Sequence, residues 1–132
     1  MKPPVVHSLT RNEFEKAESI YKIVSDHITN THVYFELNSK KYYIGYPSSD
    51  IIQVELKVLE KENYLLVGVD LKVVVLCMKT GRILLALGLS SYFKGFEDSN
   101  DLSFTIFTEL DDYRIGKHFL NVNKIVSHEL GF

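Results

Sequence analysis

Apolar and polar positions in this chain follow two periods, first one near 3.6 residues and then one near 2. Thr10 followed by Glu13 has capping-box spacing, and Leu9 and Phe14 stand at the flanking staple positions. Beyond that cap Phe14, Ala17, Tyr21, Val24 and Ile28 recur every three or four residues, while Glu13, Glu15, Lys16, Glu18 and Lys22 mostly stay off the stripe. The spacing predicts one amphipathic helix over about 11–27, packed on a sheet and ending in Thr29-Asn30-Thr31.

After the helix the pattern is that of strands. Segments 32–37 and 41–46 flank a turn at Asn38-Ser39-Lys40, and Pro47-Ser48-Ser49-Asp50 breaks the chain before 51–59. In that run Ile52, Val54, Leu56 and Val58 alternate with Gln53, Glu55 and Lys57, the signature of a half-buried strand. Further strands are predicted at 64–69, 72–78, 82–89, 102–108, 113–115 and 121–126, with 90–101 read as a longer polar connection. Hairpin spacing and the lack of crossover helices after residue 30 favour an antiparallel meander. The expected fold is α+β in a single domain, 1–132. One N-terminal helix precedes an extensive antiparallel β-meander over about 32–126, sandwich-like or a partial barrel. Phe14, Tyr21, Val24, Val54, Leu56, Leu66, Val74, Leu76, Leu84, Ile106 and Ile115 are its expected core. Segments 32–37 and 121–126 are its expected sheet edges.

A weak rhythm divides the strands into three units, 32–56, 64–87 and 104–126, each reading strand, turn, strand, turn, strand. Residues 64–87, YLLVGVDLKVVVLCMKTGRILLAL, combine a small residue at Gly68, an aliphatic second strand and a Lys79-Thr80-Gly81-Arg82 turn into a third strand. This segment resembles one blade of a quinoprotein-type β-propeller. The resemblance implies hairpin geometry and carries over no cofactor and no functional residue.

Composition narrows the classes of function. A chain of 132 residues with 45% hydrophobic positions can bury a core without metal or disulfide staples. Eight tyrosines and eight phenylalanines argue against disorder. The lone cysteine, Cys77, forms no internal disulfide and reads as a small core residue in a reducing compartment. No apolar segment resembles a signal peptide or a membrane span, so a cytoplasmic location is expected. A net charge of −2 gives no general attraction to nucleic acid or to an anionic membrane.

The usual catalytic signatures do not occur: no glycine-rich phosphate loop, no nucleophile elbow, no paired-cysteine zinc motif. Neither metal nor cofactor is expected, since Asp26, His27 and His32 match no recurrent ligand spacing. Segment 97–112 holds Glu97, Asp98, Asp101, Glu109, Asp111 and Asp112 without a lysine or arginine. The other 116 residues then carry 15 basic and 11 acidic side chains, a net of +4. Such asymmetry steers a basic partner to one acidic edge. Tyr34, Tyr42, Tyr43 and Tyr46 lie beside Lys40 and Lys41, and alternation sends Tyr42 and Tyr43 to opposite faces.

The expected function is therefore a small protein-binding module, in concrete form an immunity- or antitoxin-like domain with an acidic interaction edge. Its competitor is an enzyme or small-ligand protein with a site assembled from the dispersed His32, His118, Glu109 and Asp111. A homodimer that buries the 32–37 strand with Tyr34 and Tyr43 is also expected, because that strand carries Glu36 as its one charge.

Overall fold

A computed structural model describes residues 2–17, 21–25, 29–47 and 54–125. Among these residues the elements are, in chain order, β1 (His7–Ser8), α1 (Arg11–Lys16), β2 (Lys22–Val24), β3 (Thr31–Leu37), β4 (Lys40–Tyr46), β5 (Glu55–Leu59), β6 (Tyr64–Val69), β7 (Lys72–Cys77), β8 (Ile83–Gly88), β9 (Phe93–Glu97), β10 (Ser103–Thr108), β11 (Asp112–Gly116) and β12 (Val122–Ile125). They form three four-stranded sheets in the orders β1-β3-β4-β2, β5-β6-β7-β8 and β12-β11-β10-β9. None closes into a barrel, so the fold is mostly antiparallel β with one short helix.

The sheets are layered, and side-chain alternation shows how. Val33, Phe35, Tyr42 and Ile44 of the first sheet pack with Leu65, Val67, Val69, Val74 and Leu76 of the second. The opposite face of the second sheet supplies Leu66, Val73 and Val75, which pack with Phe104, Ile106, Tyr113 and Ile115 of the third. The second sheet is thus the middle layer, and β6 and β7 are buried on both faces. Tight turns set the registers. Asn38 and Ser39 both take positive φ, at 52° and 63°, and form a two-residue hairpin loop whose twist suits the flanking strands.

Several expectations require correction. The capping box at Thr10 and Glu13 forms, but the helix stops at Lys16 with Ala17 already extended. A helix this short has little stability of its own. The aromatic and β-branched residues after it gain more by pairing, and β2 adds to β4 in the molecule's one parallel ladder among the described residues. Period 2 then replaces period 3.6: Ile23 enters the core, whereas Val24 faces outward and is 39% exposed rather than buried. Ile28, 51–53 and Val126 lie outside the described residues.

The polar connection expected over 90–101 contains a strand, β9. Its register opposite β10 slips between Phe107 and Thr108, with Gly95 opposite Phe107 and Phe93 opposite Thr108. Lys94 is the extra residue of this bulge, so Phe93 and Phe96 reach the same core despite their odd spacing. A second slip between Val75 and Leu76 leaves Leu84 as the extra residue of β8. Leu84 is consequently 39% exposed, against the expectation of a core position. The units also divide differently: the expected first unit, 32–56, runs over from the first sheet into β5 of the second. Segment 32–37 is not an edge, because β3 lies between β1 and β4. β12 does form an edge of the third sheet.

Polar pins tie the layers at their ends. The fully buried Tyr42 stacks on Phe35 at 5.1 Å and donates its hydroxyl to the Gly81 carbonyl of the second sheet. Burial, followed by the negative charges Tyr21 and Cys77 would carry, pushes its pKa up to about 12, so the phenol stays a donor. Gly81 sits at φ 77°, and a Cβ there would lie 2.6 Å from the Tyr42 hydroxyl. Gly68 answers a different need, since the Phe93 ring occupies the space a Cβ would take. We expect Gly81→Ala to lower unfolding free energy by about 1–3 kcal/mol from backbone strain, plus the clash. Tyr42→Phe, which orphans the carbonyl, should cost about 1–3 kcal/mol. Urea denaturation checks both, and unchanged midpoints would contradict the pin.

Candidate functional site

The loop at Asn38 and Ser39 makes Tyr34 and Tyr43 direct cross-strand partners. Their neighbours on this strand pair, Val33, Phe35, Tyr42 and Ile44, enter the core. Tyr34 and Tyr43 therefore share the outward face, with ring centroids 6.2 Å apart. The row continues in both directions. His7 of β1 pairs with Tyr34 and stacks on it at 5.1 Å. Lys22 of β2 pairs with Tyr43. One transverse line, His7, Tyr34, Tyr43 and Lys22, thus crosses all four strands. The Lys41 ammonium lies 5.4 Å from the Tyr34 ring centroid, and that of Lys22 lies 4.8 Å from the Phe14 ring.

The sequence reading found Tyr34 and Tyr43 but not the two ends of the row. His7 stood outside every predicted element, and Lys22 was placed on a helix. The usable signal was the turn: with Asn38 and Ser39 as a two-residue loop, 34 necessarily faces 43.

The adjacent row on the same face is covered. Phe14 of α1 lies over His32, ring centroids 4.6 Å apart, and His32 is 5% exposed. The His32 Nε2 is 3.0 Å from the Thr29 hydroxyl. Burial first, and then the Arg11 charge, hold its pKa below the usual histidine value, with Glu15 opposing.

The six acidic residues do not form one edge. Glu97, Asp98 and Asp101 lie at and beyond the end of β9, while Glu109, Asp111 and Asp112 surround the β10–β11 turn. The six residues of β10 separate the groups by roughly 17 Å. Asp98, Asp101 and Asp111 are held by lysines of this chain. Asp98 Oδ1 is 2.5 Å from Lys117 Nζ, and Asp101 Oδ1 is 3.6 Å from Lys61 Nζ. Asp111 is buried, accepts from Ser90 Oγ at 3.0 Å and lies 3.4 Å from Lys124 Nζ.

The dispersed residues of the enzyme reading do not converge either. His32 is in the first sheet, His118 is exposed in the β11–β12 turn, and Glu109 and Asp111 are at the other end of the third sheet. Among the described residues no group of three or more His, Cys, Asp or Glu side chains is arranged to hold a metal ion. Asp26 and His27 lie outside the described residues. No described helix is long and apolar enough to cross a membrane. Cys77 is half-exposed rather than a core residue, and hydrogen bonds from the Thr80 side chain and backbone lower its pKa.

Two pH effects follow. In the unfolded chain His32 takes up its proton near pH 6.5, and in the folded chain only at lower pH. Its contribution is therefore complete above about pH 6.5 and lost as pH falls below it. We expect a His32→Gln variant to lose less thermal stability than the parent between pH 7.5 and 5.5; parallel losses would contradict this. For Cys77, the thiolate forms at lower pH than in a free cysteine, so iodoacetamide alkylation has a lowered pH midpoint. Thr80→Val should move that midpoint upward; an unchanged profile would count against the Thr80 contacts.

Comparison with protein-family models, curated proteins and solved structures returned no match for this chain.

Proposed function

We propose that this chain is a protein-binding module that docks its partner on the outward face of the first sheet. The observation that carries this reading is the aromatic row on the outward face of the first sheet, set against one transverse row of the third sheet. On the third sheet, registered positions place Glu97, Thr105, Arg114 and Asn123 in one transverse row. That row is polar, as a solvated face requires. The equivalent line on the first sheet is His7, Tyr34, Tyr43 and Lys22. Tyrosine offers a large apolar body with a polar tip and little rotamer entropy to lose, which is why it concentrates at interfaces.

Charge narrows the partner. Lys22 gives the row a positive end, while Lys41 faces Glu36 across the ladder, so the complementary surface is a folded protein that sets a carboxylate beside an aliphatic patch. A role of the immunity or antitoxin kind, in which a small domain occludes another protein's working surface, is the concrete form of this reading. The acidic residues support it less, being divided between two ends, with Asp98, Asp101 and Asp111 engaged by lysines of this chain. The blade resemblance of 64–87 fits the same picture, with layered sheets serving as a rigid scaffold that displays one face.

The test is affinity capture by the tagged full chain from its own cells, followed by titration with the recovered protein. One stoichiometric partner is expected. Tyr43→Ala should weaken it roughly thirtyfold, the loss of about 2 kcal/mol typical of an anchor residue. Arg114→Ala on the opposite face should change affinity less than about twofold. Equal affinity for parent and Tyr43→Ala would overturn the assignment. So would binding lost only on neutralising Glu97 and Glu109, or binding of a single-stranded oligonucleotide on this row in place of a protein.

A further inference from the structure

Sheet edges differ in how they are guarded. Of the described edge strands of four residues or more, β5 carries Glu55 and Lys57, β9 carries Lys94 and Glu97, and β12 carries Lys124. β8, with the sequence Ile83-Leu84-Leu85-Ala86-Leu87-Gly88, carries no charge. Natural edges are commonly protected by charged side chains, and this one is not.

The ladder with β7 shows which backbone groups β8 offers. Leu89 N–H donates to the Leu71 carbonyl at 2.8 Å, so 71 and 89 are a hydrogen-bonded pair. In an antiparallel ladder such pairs alternate, which makes 73 with 87 and 75 with 85 hydrogen-bonded. Ala86 and Gly88 then direct their N–H and C=O groups away from β7, toward the open side. Their side chains are a methyl group and a hydrogen, and both residues are exposed.

We propose that β8 is a self-pairing edge, joining two copies of this chain through an antiparallel β8–β8 ladder centred on Ala86. A two-fold axis there makes Ala86 its own partner and sets Leu84 opposite Gly88. In this register Ala86 and Gly88 supply the outward-pointing backbone groups. The same register sets Leu85 opposite Leu87 on the face where both are half-buried against the second core, so the apolar stripe continues across the axis. It places Arg82 opposite Ser90, which keeps the two arginines at opposite ends and opposes no like charges. The middle sheets become one eight-stranded sheet. A second copy suits this edge because the strand is complementary to itself in backbone, size and charge. The contact is short and buries less than the about 1,200–2,000 Å² of a standard interface, so the dimer forms reversibly at micromolar or higher concentration.

This surface is independent of the tyrosine face, and the variants separate them. Ala86→Pro removes an N–H that β7 does not use. Gly88→Lys is spatially free, with no atom within 4 Å of an added Cβ. Sedimentation of the full chain over a concentration series should show the mass rising from 15.2 kDa toward twice that value. Amide exchange at Ala86 and Gly88 should slow about tenfold or more over the same series. Ala86→Pro and Gly88→Lys, each checked for an unchanged circular dichroism spectrum, should remain monomeric, and Tyr34→Lys should still dimerise. The proposal is overturned if the parent stays monomeric at millimolar concentration, or if both β8 variants dimerise like the parent. It is equally overturned if these amides become protected only when a different protein is added.

Discussion

Burial of both faces of β6 and β7 is the constraint on which the remaining architecture depends. Leu65, Leu66, Val67, Val69, Val73, Val74, Val75 and Leu76 are each at most 1% exposed. Each such side chain contributes about 1.5–3 kcal/mol of burial when covered, and alternation sends them to two opposite sides. One partner layer can cover only one side, five of them or three. The chain therefore needs a sheet on each side, and it has one before the middle sheet and one after it. The two hydrophobic cores share this layer, which makes the three sheets one structural unit.

Layers held by apolar contact alone can slide, and polar groups at the ends of the stack resist this. Between the first and second sheets, Tyr42 reaches the Gly81 carbonyl at one end, and at the other Ser25 donates to Asp70 Oδ2 at 2.5 Å. Between the second and third, Lys117 is 4% exposed and meets Asp98 and, at 3.9 Å, Glu62. Tyr64 donates to the Lys117 carbonyl at 2.6 Å, while Ser90, Tyr113 and Asp111 connect the opposite end. Removing one member of such a set leaves a buried polar group uncompensated, which costs more than the pair gains. Direction is what these contacts supply, since burial itself has none.

How far the pattern of residues announced the fold depended on local regularity. A hairpin turn around 38–40, which narrows to Asn38 and Ser39 with Lys40 in β4, the strands of the middle sheet and the capping box at Thr10 were readable, because turn chemistry, apolar runs and cap spacing act over a few residues. The extent of the helix was not. Tyr21, Lys22, Ile23 and Val24 satisfy helical and strand spacing alike, and pairing with a distant β4 decides between them. β9 was hidden by its bulge: with Lys94 set aside, Phe93 and Phe96 fall on one face, and their three-residue spacing breaks the strand period. The site was half readable for the same reason. Tyr34 and Tyr43 are tied by a turn, whereas His7 and Lys22 join their row only through pairing across the sheet.

The treatment of the first sheet's outward face separates covering from display. α1 lays Phe14 over His32 and Gly45, in the row that ends at the exposed Val24. The next row holds larger aromatic surface and lies two residues along each strand; Phe14 reaches its end at Lys22, whose ammonium is 4.8 Å from the ring. Coverage thus goes to a histidine whose charged form burial disfavours, and the tyrosines stay at the surface. Tyrosine tolerates that position because its hydroxyl is solvated while the ring remains available for contact. The third sheet has no helix on its outward face among the described residues, and its equivalent row is polar. An aromatic row left open beside one that is capped is the feature on which the proposed docking rests.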